Sequence, residues 1–455
     1  MNASAWLLVI TYIFTAWFIW RHVGINLSLT SVLLFLLLVL HGPMYLYYTR
    51  IWGPETIFYE VILSAAGADP VLPTMDVALT LTFIGVCLGV KLADLFSGSN
   101  GIDIRRAITA WPSKKFSFNS FNLLRYRYVV VGAIFFVLLP FAVYEHQIQK
   151  VIEYVMADIS EVAKIALRRE KGGSDVYLYN LLCAGFFPFL AFLGISTYKN
   201  ERLRWKLLIG IFVLLLLLAK MATLSKAPPA IFLLQCALVL IMTHRLTLTR
   251  RTFLWISLLI LGLFLLMVII ANPVLSSVGD MLDFLFYRVF MIPNESLFEY
   301  FSAIPFVIDF TWGREFGWLT MLLQESPKPA TYWLVGEAHR GVMGSTTTAM
   351  FIGDAWADFS WIGVIVFPVT LGALVRLIDR QLIVKRRKTA VTVAALSLGH
   401  YGLFIAMNTA LQTALLTGGL LLVLPLVAVF GLTTRSAIYS GYMQQCSTTR
   451  SNLVR

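Results

Sequence analysis

The sequence predicts an all-α polytopic membrane protein, and three observations predict it. Of 455 residues, 59% are hydrophobic and only 13% are charged, with a mean hydropathy of +0.79; soluble domains carry about 25% charged residues. Apolar blocks long enough to cross a bilayer core, about twenty residues each, recur along the chain. Lys and Arg collect in alternate connecting segments, as they do when loops on one side of a membrane are enriched in positive charge.

The blocks predict spans near 5–20, 27–48, 76–95, 127–145, 176–197, 206–226, 228–243, 253–271, 349–375, 389–407 and 411–434. That is about eleven transmembrane helices. Backbone groups in lipid must be bonded within their own segment, so each is read as a helix. The first block lacks a basic leading region and a small-residue cleavage site, so it reads as a span rather than a removable signal. There is no internal repeat and no low-complexity tract. The chain reads as one integral membrane domain, 1–455.

The loops that hold Arg21, Lys91 to Arg127, Lys199 to Lys206, Arg245 to Arg251, Arg376 to Lys388 and the C-terminal tail carry 24 of the 36 basic residues. That side is predicted to be cytoplasmic. The other side carries 20 of the 24 acids. The N-terminus is then outside and the C-terminus inside. The net charge of +12 therefore reads as loops facing anionic lipid rather than as a nucleic-acid footprint.

Three outer segments stand out. The loop 49–75 is short and weakly acidic. Residues 146–170 carry Ile148, Val151, Ile152, Val155, Ile159, Val162 and Ala166 at helical spacing, which predicts an amphipathic helix lying in the interface. The segment 272–348 is a large outer loop. Its aromatic content, as in "SLFEYFSAIPFVIDF", predicts that it packs.

Candidate site residues follow from charges on the acid-rich side. Lys220 lies about one helical turn from the outer end of its span. It either snorkels to the surface or meets an anion. Lys226 precedes Pro228 and Pro229, which are expected to stop the helix and pin the lysine at a corner between two spans. A fixed cation there suits a phosphate. Arg168 and Arg169 end the amphipathic segment. Arg288, in "FLFYRVFMIPNESLFEYF", has either Glu295 or a ligand phosphate as its anionic partner. In "GEAHRGVMGS", Arg340 adds a further cation. His339 there is either a general base or a bland loop histidine. In "STTTAMFIGDAWADFSWIG", Asp354 and Asp358 are four apart and share a helix face. They either complement a helix N-terminus or supply a base. His400 is the one deep histidine, read as packed and hydrogen-bonded. The aromatics Trp312, Trp318, Tyr332 and Trp333 suit either sugar stacking or an interfacial belt.

Cys87, Cys183, Cys236 and Cys446 have no metal spacing and no pairable framework. The sequence has no metal-binding cluster, Walker loop, GxGxxG unit or GxSxG elbow, so no metal and no cofactor is expected. An enzyme working outside the cell needs a substrate already activated. A polyprenyl-pyrophosphate sugar fits, since its lipid accounts for the membrane and its pyrophosphate for the cations.

These segments resemble the Wzy-type oligosaccharide repeat-unit (O-antigen or exopolysaccharide) polymerases. In "GDAWADFSWIGVIVFPVTLGAL", Gly353, Asp354, Phe359 and Gly363 match that family's glycine–acid run in type. Asp stands for Glu, Trp356 for Tyr, Asp358 for Asn and Ser360 for a glycine. "YRVFMIPNE" resembles the arginine-centred opening of the family's large loop. "TLSKAPPA" sits where a short basic turn separates two spans, with Lys226 in place of Arg. The resemblance implies a GT-C-like helical membrane enzyme of a bacterial inner membrane, a metal-independent glycosyltransferase. It would join polyprenyl-pyrophosphate-linked oligosaccharides, with a polysaccharide chain-length regulator as possible partner. Lys226, Arg288, Arg340, Arg168, Arg169 and Lys220 would hold pyrophosphate, and Asp354, Glu295 or His339 would take the proton. The sister O-antigen ligases, flippases of the same lipid-linked sugar and O-acyltransferases are the alternatives.

Overall fold

The computed structural model describes residues 3–52, 68–98, 101–117, 123–143, 179, 181–198, 201–221, 227–243, 277–314, 320–321, 329–341 and 345–430, with isolated positions 254, 258 and 262. Among these residues the regular structure is helical. Four helical stretches are long and apolar enough to cross a membrane: Ala3–Val23, Leu29–Ile51, Val71–Phe96 and Phe351–Val384. Shorter apolar helices cover Tyr126–Leu138, Leu182–Thr197, Pro228–Met242 and Ala390–Ala406. The amphipathic segment 146–170 and nearly all of the span near 253–271 lie outside the described residues.

Helix α1 (Ala3–Phe18) runs on through a π-helical turn, Ile19–Val23. Helix α2 (Leu29–His41) is N-capped by Ser28, whose side chain accepts from the Ser31 N–H. It breaks at Gly42, where a Cβ would stand 2.2 Å from the Leu38 carbonyl oxygen. Helix α3 (Pro43–Tyr47) restarts the chain, with proline in its first turn. A π-helical turn, Tyr48–Trp52, extends it. The predicted span near 27–48 is thus two helices.

Helix α4 (Ala68–Phe96) is the central span. It packs backbone-to-backbone on the long helix near the C-terminus, α13 (Phe351–Asp379). A Cβ on Gly89 would stand 2.1 Å from the Val369 carbonyl oxygen, and one on Gly372 2.3 Å from that of Val86. Gly85 and Gly89, four apart, make one small-residue face; Gly372 makes the opposing one. In lipid, helices associate through close packing rather than hydrophobic exclusion, so small residues mark the contact.

Between them lie α5 (Gly101–Ala110), α6 (Leu123–Val143), α7 (Phe187–Thr197), α8 (Leu203–Met221), α9 (Ala227–Met242), α10 (Val278–Phe286), α11 (Ile292–Ala303) and α12 (Thr331–Arg340). After α13 come α14 (Ala390–Ala406) and α15 (Leu411–Leu415). Residues 222–226, where Pro228 and Pro229 were expected to stop the preceding helix, lie outside the described residues. The two prolines sit in the first turn of α9, where missing N–H groups cost nothing. The predicted span near 411–434 is broken: α15 ends at Leu415, turns follow, and helix resumes at 423–430.

Polar ties lock the two ends of the bundle. At the end that carries Arg21, Arg376 of α13 grips Asp94 of α4 through Nε (2.7 Å) and Nη2 (3.0 Å). Asp379 accepts from the Leu29 and Thr30 N–H groups, each at 2.8 Å, and from the Thr30 hydroxyl at 2.6 Å. The first turn of α2 is therefore capped from α13 as well as locally. At the opposite end, Asp76 of α4 accepts from Ser4, Tyr45 and Arg50, each at 2.8 Å. His400 is buried, with Nε2 3.1 Å from the Leu27 carbonyl oxygen, the packed histidine that was expected.

Candidate functional site

The described residues of the segment 272–348 are folded onto the bundle. Ser277 and Asp280 form a capping box that starts α10. A π-helical turn, Tyr287–Met291, joins α10 to α11. Leu297, Phe298, Tyr300 and Phe301 of α11 are buried, and α11 packs on α2, α4 and α13. The expectation that this segment packs holds for its described residues.

One face of α11 carries Glu295, Glu299 and Ser302, at i, i+4 and i+7. The half-buried Glu295 carboxylate accepts from the Tyr287 hydroxyl at 2.6 Å. Burial, then the neighbouring Glu295 charge, holds the Tyr287 phenol well above its ordinary range, so it stays a donor. The Glu299 charge also reaches Tyr287, and its carboxylate accepts from the Thr347 hydroxyl. Further along, His339 of α12 places Nε2 2.9 Å from the Glu299 carbonyl oxygen and 3.1 Å from Ser302 Oγ. A carbonyl only accepts, so Nε2 carries the proton and Nδ1 is the nitrogen that can take one. His339 lies on a helix rather than in a loop, and it closes the end of this polar stripe.

Arg288 is exposed, on the turn beside Tyr287, with its guanidinium 5.1 Å above the Phe284 ring. Glu295 has Tyr287 as its donor, and Arg288 makes no ion pair with a described residue. Of the two partners the sequence left open, the structural pair with Glu295 is not formed.

Asp354 lies in the first turn of its helix, one of the two placements the sequence left open, but that helix is not straight. The helix from Phe351 to Asp379 is kinked at Ser360, whose φ of 52° and ψ of −140° are not helical. Asp354 and Asp358 therefore lie on a short leading helix, not within a straight span near 349–375. The Asp354 carboxylate accepts from the Tyr300 hydroxyl at 3.3 Å, and that of Asp358 from the Thr311 hydroxyl. Both aspartates are buried. Trp356 stacks on Phe301 at 4.9 Å and donates to the Ile304 carbonyl at 3.0 Å.

The glycine–acid run follows from this kink. A Cβ on Gly353 would meet the Tyr300 ring at 3.1 Å. One on Gly363 would stand 2.1 Å from the Ala355 carbonyl oxygen, eight residues back, an approach that only the kink creates. Ser360 holds a positive φ that glycine adopts freely. Ser360→Gly is expected to raise stability by about 1 kcal/mol, seen as a higher melting temperature in detergent; an unchanged or lower one would refute the strained assignment.

For Lys220 the sequence left snorkelling and an anion contact open. It does not snorkel: it is 4% exposed, with Nζ 5.0 Å above the Tyr401 ring and 5.6 Å above that of Phe232. The two π faces stand in for water around the ammonium. Arg340 is the last residue of α12. Lys226, Arg168 and Arg169 lie outside the described residues.

Residue reasoning also missed a buried polar group. Asn294 donates to the Leu40 (2.9 Å) and Phe290 (2.7 Å) carbonyls, so its amide oxygen faces His41 Nδ1 at 2.9 Å. His41 Nδ1 then carries the proton, and its buried Nε2 has no hydrogen-bond partner. Asp76, Arg50 and Tyr45 were missed too. An isolated acid at the start of one apolar block and an arginine at the end of the previous one were the available signals.

Chemically, the stripe offers a half-buried carboxylate and a histidine Nδ1 as proton acceptors, with a surface guanidinium beside the first. No group of His, Cys, Asp and Glu that could hold a metal ion occurs among the described residues. Comparison with known proteins finds no family model, no curated protein and no solved structure that matches the chain.

Proposed function

We propose that this membrane protein is a glycosyltransferase that polymerises polyprenyl-pyrophosphate-linked oligosaccharide repeat units at the outer face of a bacterial inner membrane. A hydroxyl of one lipid-linked repeat attacks the anomeric carbon of the growing chain. The new glycosidic C–O bond forms as the C–O bond to the polyprenyl pyrophosphate breaks. The pyrophosphate leaves with the bonding electrons, and the hydroxyl proton passes to a protein base. The observation that carries this reading is Arg288, an exposed guanidinium without an ion pair to a described residue, one residue from the Tyr287–Glu295 contact. A pyrophosphate supplies the missing anion, and the guanidinium stabilises its growing charge as it departs.

In this reading Glu295 is the first choice as base, since it is half-exposed whereas Asp354 is buried. His339 is the second, acting through Nδ1. Lys226, Arg340, Arg168 and Arg169 complete the cationic set on the same acid-rich side, while Lys220 is withdrawn into the bundle. The N-terminus is periplasmic, the C-terminus cytoplasmic, and a chain-length regulator is the expected protein partner. The motif likeness of 285–375 to Wzy-type polymerases supports the assignment.

The test is the lipid-linked intermediate that accumulates in a strain lacking the protein. Accumulated single repeats support a polymerase, unligated long chains mean a ligase, and repeats trapped on the cytoplasmic leaflet mean a flippase. Arg288→Ala is expected to reduce polymer by about 100-fold or more, the scale for removing one group that stabilises a developing anion. Normal polymer in Arg288→Ala and in Glu295→Gln would overturn these site assignments.

A further inference from the structure

At the end of the bundle that carries Arg21, two loops far apart in sequence are locked into one surface. Lys388 is buried, donates from Nζ to the Pro112 carbonyl at 2.6 Å and lies 5.0 Å above the Trp111 ring. The Ser117 N–H donates to the Lys388 carbonyl at 3.0 Å, and Ser117 pairs with Thr389 in a parallel bridge. Trp111 is itself buried, and so are Ile104 and Ile108 of α5. This clamp presents Lys115, Lys385, Arg386 and Arg387 as exposed cations, with Lys114 half-exposed among them. None of the five makes an ion pair with a described residue.

Unscreened cations set side by side repel one another unless something anionic lies against them. The neighbouring surface says what that is. Leu95 and Phe96, which lead from α4 towards α5, are 73% and 88% exposed. Ser97 beside them is tied to Arg380 Nη2 at 2.7 Å. Large bare apolar side chains next to a fixed cationic surface suit the boundary between acyl chains and headgroups, not open water. An acidic soluble segment would match the charge but would leave Leu95 and Phe96 uncovered.

We propose that the Trp111–Lys388 clamp builds a docking platform for the headgroups of anionic phospholipids, with Lys114, Lys115, Arg386 and Arg387 as phosphate ligands and Lys388 as a positioning residue. The platform is independent of the glycosyl-transfer reading and is expected whatever the protein's activity.

The experiment compares the full-length protein in nanodiscs of phosphatidylglycerol and of phosphatidylcholine, reading relative lipid association by competition with a brominated, quenching phosphatidylglycerol. Wild type is expected to prefer phosphatidylglycerol by at least about fivefold, the effect of even one cation at a charged surface. Salt at 1 M should abolish the preference, since screening then acts within about 3 Å. K114Q/K115Q/R386Q/R387Q should lose it. K388M, which leaves every exposed cation in place, should weaken it by at least about twofold, whereas a bulk charge effect would not move. Removal of the exposed Arg202 and Arg204 should leave it intact. Equal loss in that control, or an unchanged preference in the quadruple variant, overturns the proposal. Full competition by soluble glycerol phosphate would also overturn it, showing a site for free phosphate. Should the quadruple variant fail to fold, the salt series and K388M on otherwise native chains decide alone.

Discussion

Asp94→Ala is expected to destabilise the protein by about 3–5 kcal/mol, because it strips a buried guanidinium of its hydrogen-bonded carboxylate. Arg376 is 1% exposed, and Asp94 is its bidentate partner across the α4–α13 seam, at 2.7 and 3.0 Å. The cost does not come from losing attraction alone. It comes from a buried cation that cannot reach water to replace the lost carboxylate. The companion variant separates the two. Asp94→Ala combined with Arg376→Met removes both charges and keeps much of the volume, and should recover most of the loss. Thermal and denaturant unfolding in a single detergent would measure both. A double variant no better than the single one would mean that the pair, and not the cation left behind, was the source of the stability.

Gly363→Ala is expected to cost about 1–3 kcal/mol, the usual scale for forcing a methyl group into filled space. Here the obstacle is backbone: the added Cβ would stand 2.1 Å from the Ala355 carbonyl oxygen, so the kink at Ser360 must open. Opening it moves the short helix that carries Asp354 and Asp358 relative to Tyr300 and Thr311, their hydroxyl partners. The glycine acts through a contact between residues eight apart, which a straight helix never makes. An alanine variant with wild-type stability would show that the two segments do not lie against each other. Ser360→Gly in the same background should not rescue it, because the two residues solve different problems. Residue 360 needs a positive φ; residue 363 needs empty space.

Much of this protein is legible in its sequence because lipid makes simple demands. Backbone groups in hydrocarbon must be satisfied locally, so long apolar blocks can only be helices. Blocks near 5–20, 76–95 and 389–407 therefore read almost directly as α1, α4 and α14. The aromatic segment after residue 290 announced that it packs, because so much apolar surface needs cover, and α11 is buried against α2, α4, α12 and α13. The deep histidine, His400, was legible as a packed residue because a lone imidazole in an apolar helix needs one carbonyl partner, and Leu27 supplies it.

Other features were settled only by neighbours distant in sequence. Lys220 could either snorkel or meet an anion, because its distance from the helix end allowed both. Two aromatic rings from α9 and α14 hold it inside instead. For Arg288 the sequence left Glu295 or a ligand phosphate open, and Glu295 accepts instead from a hydroxyl eight residues before it. Composition and periodicity determined the membrane setting, the helical class and which segments carry charge, since these follow from local hydropathy and backbone bonding alone. The kink at Ser360, the polar stripe from Tyr287 to His339 and the pairing of Arg376 with Asp94 were decided by tertiary structure. Each depends on which groups meet across helices, and hydrogen bonds and ion pairs in a buried site are fixed by geometry that no single segment contains.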